Sequence, residues 1–133
     1  MKDATLQITK VLPAANATNT TNSIDTGPRA DSQVIQPDSP EIEITVPALP
    51  NHVGPALVIT LDLYDSADNS SFTETGPRIQ VRVPGVATTG SAAQTFRFRL
   101  PAATRRYIRW LQSVPATDGD NTASSITYAV VGH

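Results

Sequence analysis

The 133-residue sequence contains no cysteine, only two histidines, and single methionine and tryptophan residues. The lack of cysteine excludes disulfides, thiolate metal sites and cysteine nucleophiles, and it fits folding in a reducing compartment. No apolar run approaches the roughly 18 residues that a membrane-spanning helix needs. The N-terminal residues lack the apolar core of a secretory signal and alternate like a strand. We therefore expect synthesis and folding in the cytoplasm, with no membrane partner.

Groups suited to catalysis or metal binding are scarce. His52 lies in a Pro-Asn-His-Val-Gly-Pro segment and His133 ends the sequence. Neither position matches a cupin-type metal site, which needs histidines on adjacent inward-facing strands. We interpret His52 as a solvated loop histidine. Glu41 and Glu43 share the polar face of one predicted strand, and solvation of that face explains them more simply than a glycosidase site. We expect no enzyme activity, no cofactor and no metal.

Two acidic segments, at 65–69 and 118–121, raise the alternative of calcium binding. Calcium requires six to eight oxygen ligands, and neither segment has the EF-hand register with a distal glutamate. The second segment, Asp-Gly-Asp-Asn, also matches an ordinary turn before the last strand, because Asp, Asn and Gly favour turns.

Alternation of apolar and polar side chains recurs along the chain. This pattern predicts strands, because successive side chains of an extended backbone leave opposite faces. The predicted strands are 5–11, 23–26, 41–46, 56–64, 78–83, 95–100, 105–112 and 124–131. About eight strands in a single domain, 1–133, predict an all-β antiparallel sandwich. Long polar connections favour a jelly roll, and an immunoglobulin-like sandwich is the alternative.

The segment from Pro13 to Pro40 is rich in Asn, Thr and Ala and has few large apolar residues. Apart from the short strand at 23–26, we predict a long polar loop here. Its composition offers little to bury, so we expect it to become ordered only against a partner.

Acidic and basic residues occupy different parts of the chain. Nine acids and one base lie between residues 25 and 74, whereas seven bases and no acid lie between 78 and 109. One interpretation is that acidic and basic strands pair side by side in a sheet. The other is a basic surface that faces an acidic partner or a neighbouring subunit. Nucleic acid is disfavoured, because the arginines alternate with apolar residues and the net charge is −2.

The C-terminal third carries a family resemblance. Phe98-Arg99-Leu100-Pro101 is followed by Thr104-Arg105-Arg106-Tyr107-Ile108-Arg109 and a closing SITYAVVGH strand. This arrangement resembles the jelly-roll capsid cement (decoration) proteins of tailed bacteriophages, a family typified by a Bordetella phage cement protein. The segments GPALVITLDLYDSAD and TGPRIQVRVPG stand upstream in the expected order. Trp110-Leu111 departs from the family pattern, in which smaller or β-branched residues are expected.

The resemblance implies a structural protein on the exterior of a virion. Such a protein binds the outer capsid surface, bridges subunits of the major capsid protein and assembles there as a small homo-oligomer, a dimer or a trimer. The candidate contacts lie in the predicted loop and on outward-facing strand positions. They are Asn16, Asn19, Asn22, Arg29, Arg97, Arg99 and Arg109.

The alternative function is a carbohydrate-binding jelly-roll module on a phage tail or a bacterial enzyme. Sugar platforms use exposed aromatic rings, and the candidates are Tyr64, Tyr107 and Trp110. Tyr107 and Trp110 are expected on opposite faces of one strand, so a flat sheet cannot expose both.

Overall fold

The computed structural model describes residues 7–26, 41–54, 57–75, 78–101 and 104–132. These residues contain no helix, so none of them belongs to a helix that could cross a membrane. They form ten strands: β1 (Gln7–Val11), β2 (Ala17–Thr20), β3 (Ile24–Asp25), β4 (Glu41–Val46), β5 (Val58–Ser66), β6 (Thr73–Glu74), β7 (Gln80–Pro84), β8 (Gln94–Arg99), β9 (Tyr107–Val114) and β10 (Ser125–Gly132).

The strands form two antiparallel sheets. Sheet I has the order β1-β10-β4-β8. In sheet II, β5 and β9 pair at the centre, β2 and β3 follow one another along the free side of β9, and β6 and β7 do the same along β5. Each sheet is therefore four positions wide, and the chain crosses between the sheets repeatedly. This is the jelly-roll arrangement, which confirms the predicted fold class.

Alternation places the core where the sequence predicts it. Ile42, Ile44 and Val46 of β4 and Ile59, Leu61 and Leu63 of β5 are all buried in one hydrophobic core. On the opposite faces of the same strands the side chains are mostly polar, as expected for a sandwich with two solvated outer faces.

The predicted loop at 13–40 is wrong for residues 17–20, which form strand β2. This Ala-Thr-Asn-Thr segment has no apolar alternation, so its pairing with β9 is imposed by its neighbours. Asn16 precedes it with φ of 62°, in the left-handed region that Asn tolerates, and its N–H donates to the carbonyl of Val114. The predicted strand at 23–26 is confirmed as β3, and residues 27–40 lie outside the described residues.

Trp110 joins the two sheets through an aromatic cluster. Its ring stacks on Tyr128 of sheet I with 5.2 Å between centroids, and it meets Phe98 edge-on at 6.1 Å. Trp110 and Tyr128 have no exposed surface. The large Trp110, which departs from the family pattern, is thus accommodated at the centre of the core.

A polar bridge accompanies this stack. The Tyr128 hydroxyl donates to Gln112 Oε1 at 2.7 Å, and Gln112 Nε2 donates to the Val11 carbonyl and to Asn19 Oδ1. Asn19 Nδ2 donates to the same Val11 carbonyl at 3.0 Å. Burial raises the pKa of Tyr128, so the hydroxyl keeps its proton and remains a donor.

We expect Tyr128→Phe to lower the free energy of unfolding by about 1–3 kcal/mol, because Gln112 Oε1 stays buried after losing its donor. Urea unfolding followed by tryptophan fluorescence measures the change. The matched control is Tyr64→Phe, whose hydroxyl bonds to no described residue, and it should change stability by less than about 0.5 kcal/mol. Equal effects of the two substitutions would contradict the bridge.

Candidate functional site

Four of the described arginines pair with carboxylates of other segments. Arg97 bonds Glu43 at 2.8 Å, Arg105 bonds Asp65 at 2.8 Å and Arg106 bonds Asp25 at 2.7 Å. Arg78 contacts both Asp62 at 3.1 Å and Glu74 at 3.2 Å. Acidic and basic segments therefore lie side by side, which confirms the cross-strand interpretation of the charge distribution.

This pairing gives Arg97, one of the predicted capsid contacts, a structural role within its own chain. Glu43 stands opposite Arg97 in the β4–β8 register and is 8% exposed. The expectation that Glu41 and Glu43 are simply solvated is wrong for Glu43, because the neighbouring side chains bury it. Arg97 supplies the counter-charge that this buried carboxylate needs.

The other predicted contacts are dispersed. Arg99 is an exposed residue of sheet I opposite Glu41. Asn16 precedes β2 in the sequence and Asn22 follows it, and both are exposed. Asn19 lies within β2 and takes part in the polar bridge with Gln112. Arg29 lies outside the described residues. Of the predicted contacts that the structure describes, Arg109 alone lies on the outer face of the central pair of strands in sheet II.

Arg109 is held by an aromatic ring. Its guanidinium carbon lies 4.2 Å from the ring centroid of Phe72, a distance typical of a cation–π contact. Its Nε is buried without a hydrogen-bond partner, and no described carboxylate pairs with it. The guanidinium is therefore fixed in position while its hydrogen-bonding capacity remains largely unused.

Aromatic and apolar residues surround Arg109 on the outer face of sheet II. Tyr64 stands directly opposite it on β5, and Tyr107 and Leu111 lie two residues away on β9. These side chains are half-buried, as is Phe72. We call this surface the Arg109 patch: Tyr64, Phe72, Tyr107, Arg109 and Leu111.

Polar side chains continue the same face toward β7. Gln80 Nε2 donates to Asp62 Oδ1 at 3.0 Å, and Arg82 donates to Gln80 Oε1 at 3.1 Å. By contrast, the described outward positions of sheet I carry no aromatic side chain. They are Gln7, Thr9, Val11, Glu41, Glu43, Thr45, Thr95, Arg97, Arg99, Ser125, Thr127 and Ala129.

The burial of Trp110 removes one of the three predicted sugar platforms. Tyr107 and Trp110 do lie on opposite faces of β9, as predicted, but Trp110 points into the core. Tyr64 and Tyr107 share the outer face as diagonal neighbours. One face of Tyr107 is already covered by Arg106, whose guanidinium carbon lies 5.0 Å from the ring centroid.

The interpretation of His52 as a solvated histidine is wrong. Its side chain has no exposed surface, its Nδ1 lies 2.8 Å from Asp118 Oδ2, and its Nε2 lies 2.7 Å from the Val83 carbonyl. The loop after β4, strand β7 and the loop after β9 are therefore clamped together at one end of the sandwich. Nothing in the Pro-Asn-His-Val-Gly-Pro segment shows this, because the partners are 31 and 66 residues away.

Close packing surrounds the clamp. A side chain at Gly119 would collide with the Asn51 carbonyl, and one at Gly90 would collide with the Leu49 carbonyl. Thr88 and Thr117 adopt φ of 74° and 71°, which is strained for β-branched residues. These loops are held in one conformation by their contacts rather than by local preference.

In the acidic segments considered for calcium, each carboxylate already has a protein partner: Asp65 pairs with Arg105 and Asp118 contacts His52, whereas Asp68 and Asp120 bond within their own loops. Asp68 Oδ1 accepts bonds from Ser66, Ser70 and Ser71, and Asp120 Oδ1 accepts two bonds from Thr122. Among the described residues, no three His, Asp or Glu side chains are grouped as a metal site would require.

No protein-family model and no curated protein sequence matches the chain. Among solved structures, the chain is similar to the PBSX exported protein XepA, with a TM-score of 0.52 and 14% identity over 94% of this chain and 37% of that one. It is also similar to PirA (TM-score 0.49, 9% identity, 95% and 94% of the two chains) and to a CBM4 structure (0.41, 12%, 90% and 66%). At these identities the similarity concerns the fold alone, and the chain spans little more than a third of XepA.

We expect His52→Ala to lower the free energy of unfolding by about 2–5 kcal/mol, because it removes a fully buried side chain together with its contacts to Asp118 and to the Val83 carbonyl. Urea unfolding measures the loss. The matched control is Val53→Ala, which changes a neighbouring exposed side chain and should cost less than about 0.5 kcal/mol. A small effect of His52→Ala would mean that the loops are held without the clamp.

The acid titration of Asp68 provides a second check on the loop geometry. Hydrogen bonds from Ser71, Ser66 and Ser70 lower the pKa of Asp68 to about 2. The stabilisation from these bonds is present above the unfolded pKa of about 3.9 and is lost as the pH falls toward about 2. Carboxyl NMR should show this low midpoint, and Ser66→Ala should raise it. An ordinary midpoint in the unmutated protein would refute the bonded loop.

Proposed function

We propose that this chain is a capsid cement protein of a tailed bacteriophage, which binds the outer capsid surface and bridges subunits of the major capsid protein. The observation that carries the proposal is the segment Leu100–Arg109, where the family resemblance is most specific. This segment connects β8 of sheet I to β9 of sheet II. The resemblance therefore lies in the crossover on which the jelly roll depends.

The described residues of this crossover are anchored by contacts with other segments. Leu100 is 2% exposed, and the N–H of Thr104 donates to the Pro101 carbonyl. Arg105 bonds Asp65 through both its backbone N–H and its guanidinium, and Arg106 bonds Asp25. The motif thus builds a rigid connection, and a rigid body loses little conformational freedom when it docks.

Rigidity suits a cement. Many modest contacts, linked through a common shell, act at high effective concentration and resist dissociation together. The clamp at His52 and the bridge at Gln112 hold the loops and the sheets in one arrangement. On this proposal the partner is the major capsid protein, the protein acts as a dimer or trimer on the capsid exterior, and it has no enzymatic role.

A carbohydrate-binding module is the second candidate function. Tyr64 and Tyr107 favour it, because they share one outer face beside polar side chains such as Gln80 and Asp62. The guanidinium groups over Phe72 and Tyr107 disfavour it, since they cover ring faces that a sugar would need. We favour the capsid cement function over carbohydrate binding, because it accounts for the family resemblance as well as for the aromatic outer face of sheet II.

The direct test is to mix the purified protein with capsids that lack it and to image the mixture by electron cryo-microscopy. We expect new density on the outer surface, across boundaries between neighbouring major capsid protein subunits. A glycan array and calorimetry with Tyr64→Ala address the second function. Glycan binding that depends on Tyr64, without capsid binding, would replace the cement proposal. Tryptophan fluorescence is unsuited to either test, because Trp110 lies in the core.

A further inference from the structure

We infer that the Arg109 patch is the surface that docks on the capsid, and that Arg109 receives a carboxylate of the major capsid protein. This inference rests on the proposed function and assigns it to one face of the sandwich. The partner chemistry is an acidic side chain flanked by apolar residues on a protein surface.

The first step concerns the position of Arg109. It belongs to β9, a central strand of sheet II that pairs with β5 on one side and with β2 and β3 on the other. Its neighbours Ile108 and Trp110 are buried with no exposed surface. The backbone at Arg109 is therefore held between neighbouring strands of sheet II, and the contact with Phe72 fixes the Arg109 side chain above the sheet.

The second step concerns charge. The acids that lie near Arg109 on this side are already paired: Glu74 and Asp62 with Arg78, and Asp25 with Arg106. The Arg109 guanidinium stacks on Phe72, and no described carboxylate pairs with it. A planar guanidinium matches a carboxylate bidentately, so a partner carboxylate would complete this site.

The third step concerns the surroundings of the charge. Tyr and Arg are the residue types most enriched at energetically important interface positions. Tyr64, Tyr107 and Leu111 surround Arg109 and would exclude water from a docked ion pair. The described outer positions of sheet I offer no aromatic side chain, and their Arg97 is engaged with Glu43. The two faces therefore differ in the chemistry that a protein interface uses.

The residues around the Arg109 patch also limit the kind of anion that can bind to it. The paired acids Asp25, Asp62 and Glu74 border the patch, so an extended polyanion such as nucleic acid would meet repulsion on several sides. A single carboxylate set among apolar groups avoids that repulsion. Its burial against Arg109 would also explain why this cation, unlike Arg78, Arg105 or Arg106, has no carboxylate within the described part of its own chain.

The test compares Arg109→Ala with Arg82→Ala in binding to capsids that lack the protein. Arg82 is the matched control, because it is also an outward cation of sheet II and its contact is the neutral Gln80. Sedimentation with capsids at several protein concentrations gives the affinity. We expect Arg109→Ala to weaken binding about 30-fold or more, as truncating one partner of a buried charge pair does. Arg82→Ala should change it less than about threefold.

Arg109→Lys separates charge from geometry. It keeps the cation but loses the planar fork, so we expect affinity between that of Arg109→Ala and that of the unmutated protein. Thermal unfolding of all three variants checks that each remains folded. Hydroxyl-radical footprinting of the unmutated protein on capsids should protect Tyr64 and Tyr107, while peptides from β1 and β8 remain reactive.

The outcomes distinguish the two proposals. If the unmutated protein binds capsids and Arg109→Ala binds equally well, the docking face is wrong and the cement function stands. If the unmutated protein does not bind capsids, both the docking face and the cement function are refuted. If Arg109→Ala instead changes the oligomeric state of the free protein, the patch is an interface between copies of this chain and the capsid assignment is overturned.

Discussion

The fold depends on the contact that Trp110 and Gln112 of sheet II make with Tyr128 of sheet I. Stacking of the two large rings fills the space between the sheets, and the hydrogen bond from Tyr128 to Gln112 fixes their relative position. Because Gln112 also bonds the Val11 carbonyl and Asn19, the same contact ties the edge strands β1 and β2 into the sandwich. A displacement of either sheet would break the buried Tyr128–Gln112 bond and the bonds linked to it, so this geometry leaves little freedom for slippage.

The register of the paired strands then determines which acidic and basic side chains meet. With β4 and β8 fixed opposite one another, Glu43 meets Arg97; with β5 and β9 fixed, Asp65 lies beside the start of β9 and meets Arg105. The acidic first half and the basic second half of the chain become neighbours because the jelly roll interleaves them. In both pairs the carboxylate is buried, and the arginine supplies the counter-charge that it needs. Their larger effect is to neutralise most arginines and to leave few cations available for a partner.

Sequence alternation predicts the strands with apolar faces well, including the boundaries of β4, because burial of one face imposes period two. It fails for β2, whose Asn and Thr residues are held by β9 and by the Gln112 bridge, and for His52, whose partners lie far along the chain. The arginine candidates show the same limit. All share one local pattern, arginine between apolar residues, and only the fold separates Arg97 over a buried glutamate from Arg109 over Phe72.

The difference between Arg97 and Arg109 bears on how an interaction surface can arise on a rigid β-sandwich. Arginines that stabilise the sandwich cannot be given to a partner without exposing buried carboxylates such as Glu43 or Asp65. A docking residue must therefore be one whose release from its own chain costs little, yet whose position is fixed beforehand. Stacking on Phe72 meets both conditions, because a cation–π contact orients the guanidinium without consuming its hydrogen-bond donors. If Arg109 docks on a partner as proposed, the demands of stability and of recognition fall on different arginines of β8 and β9.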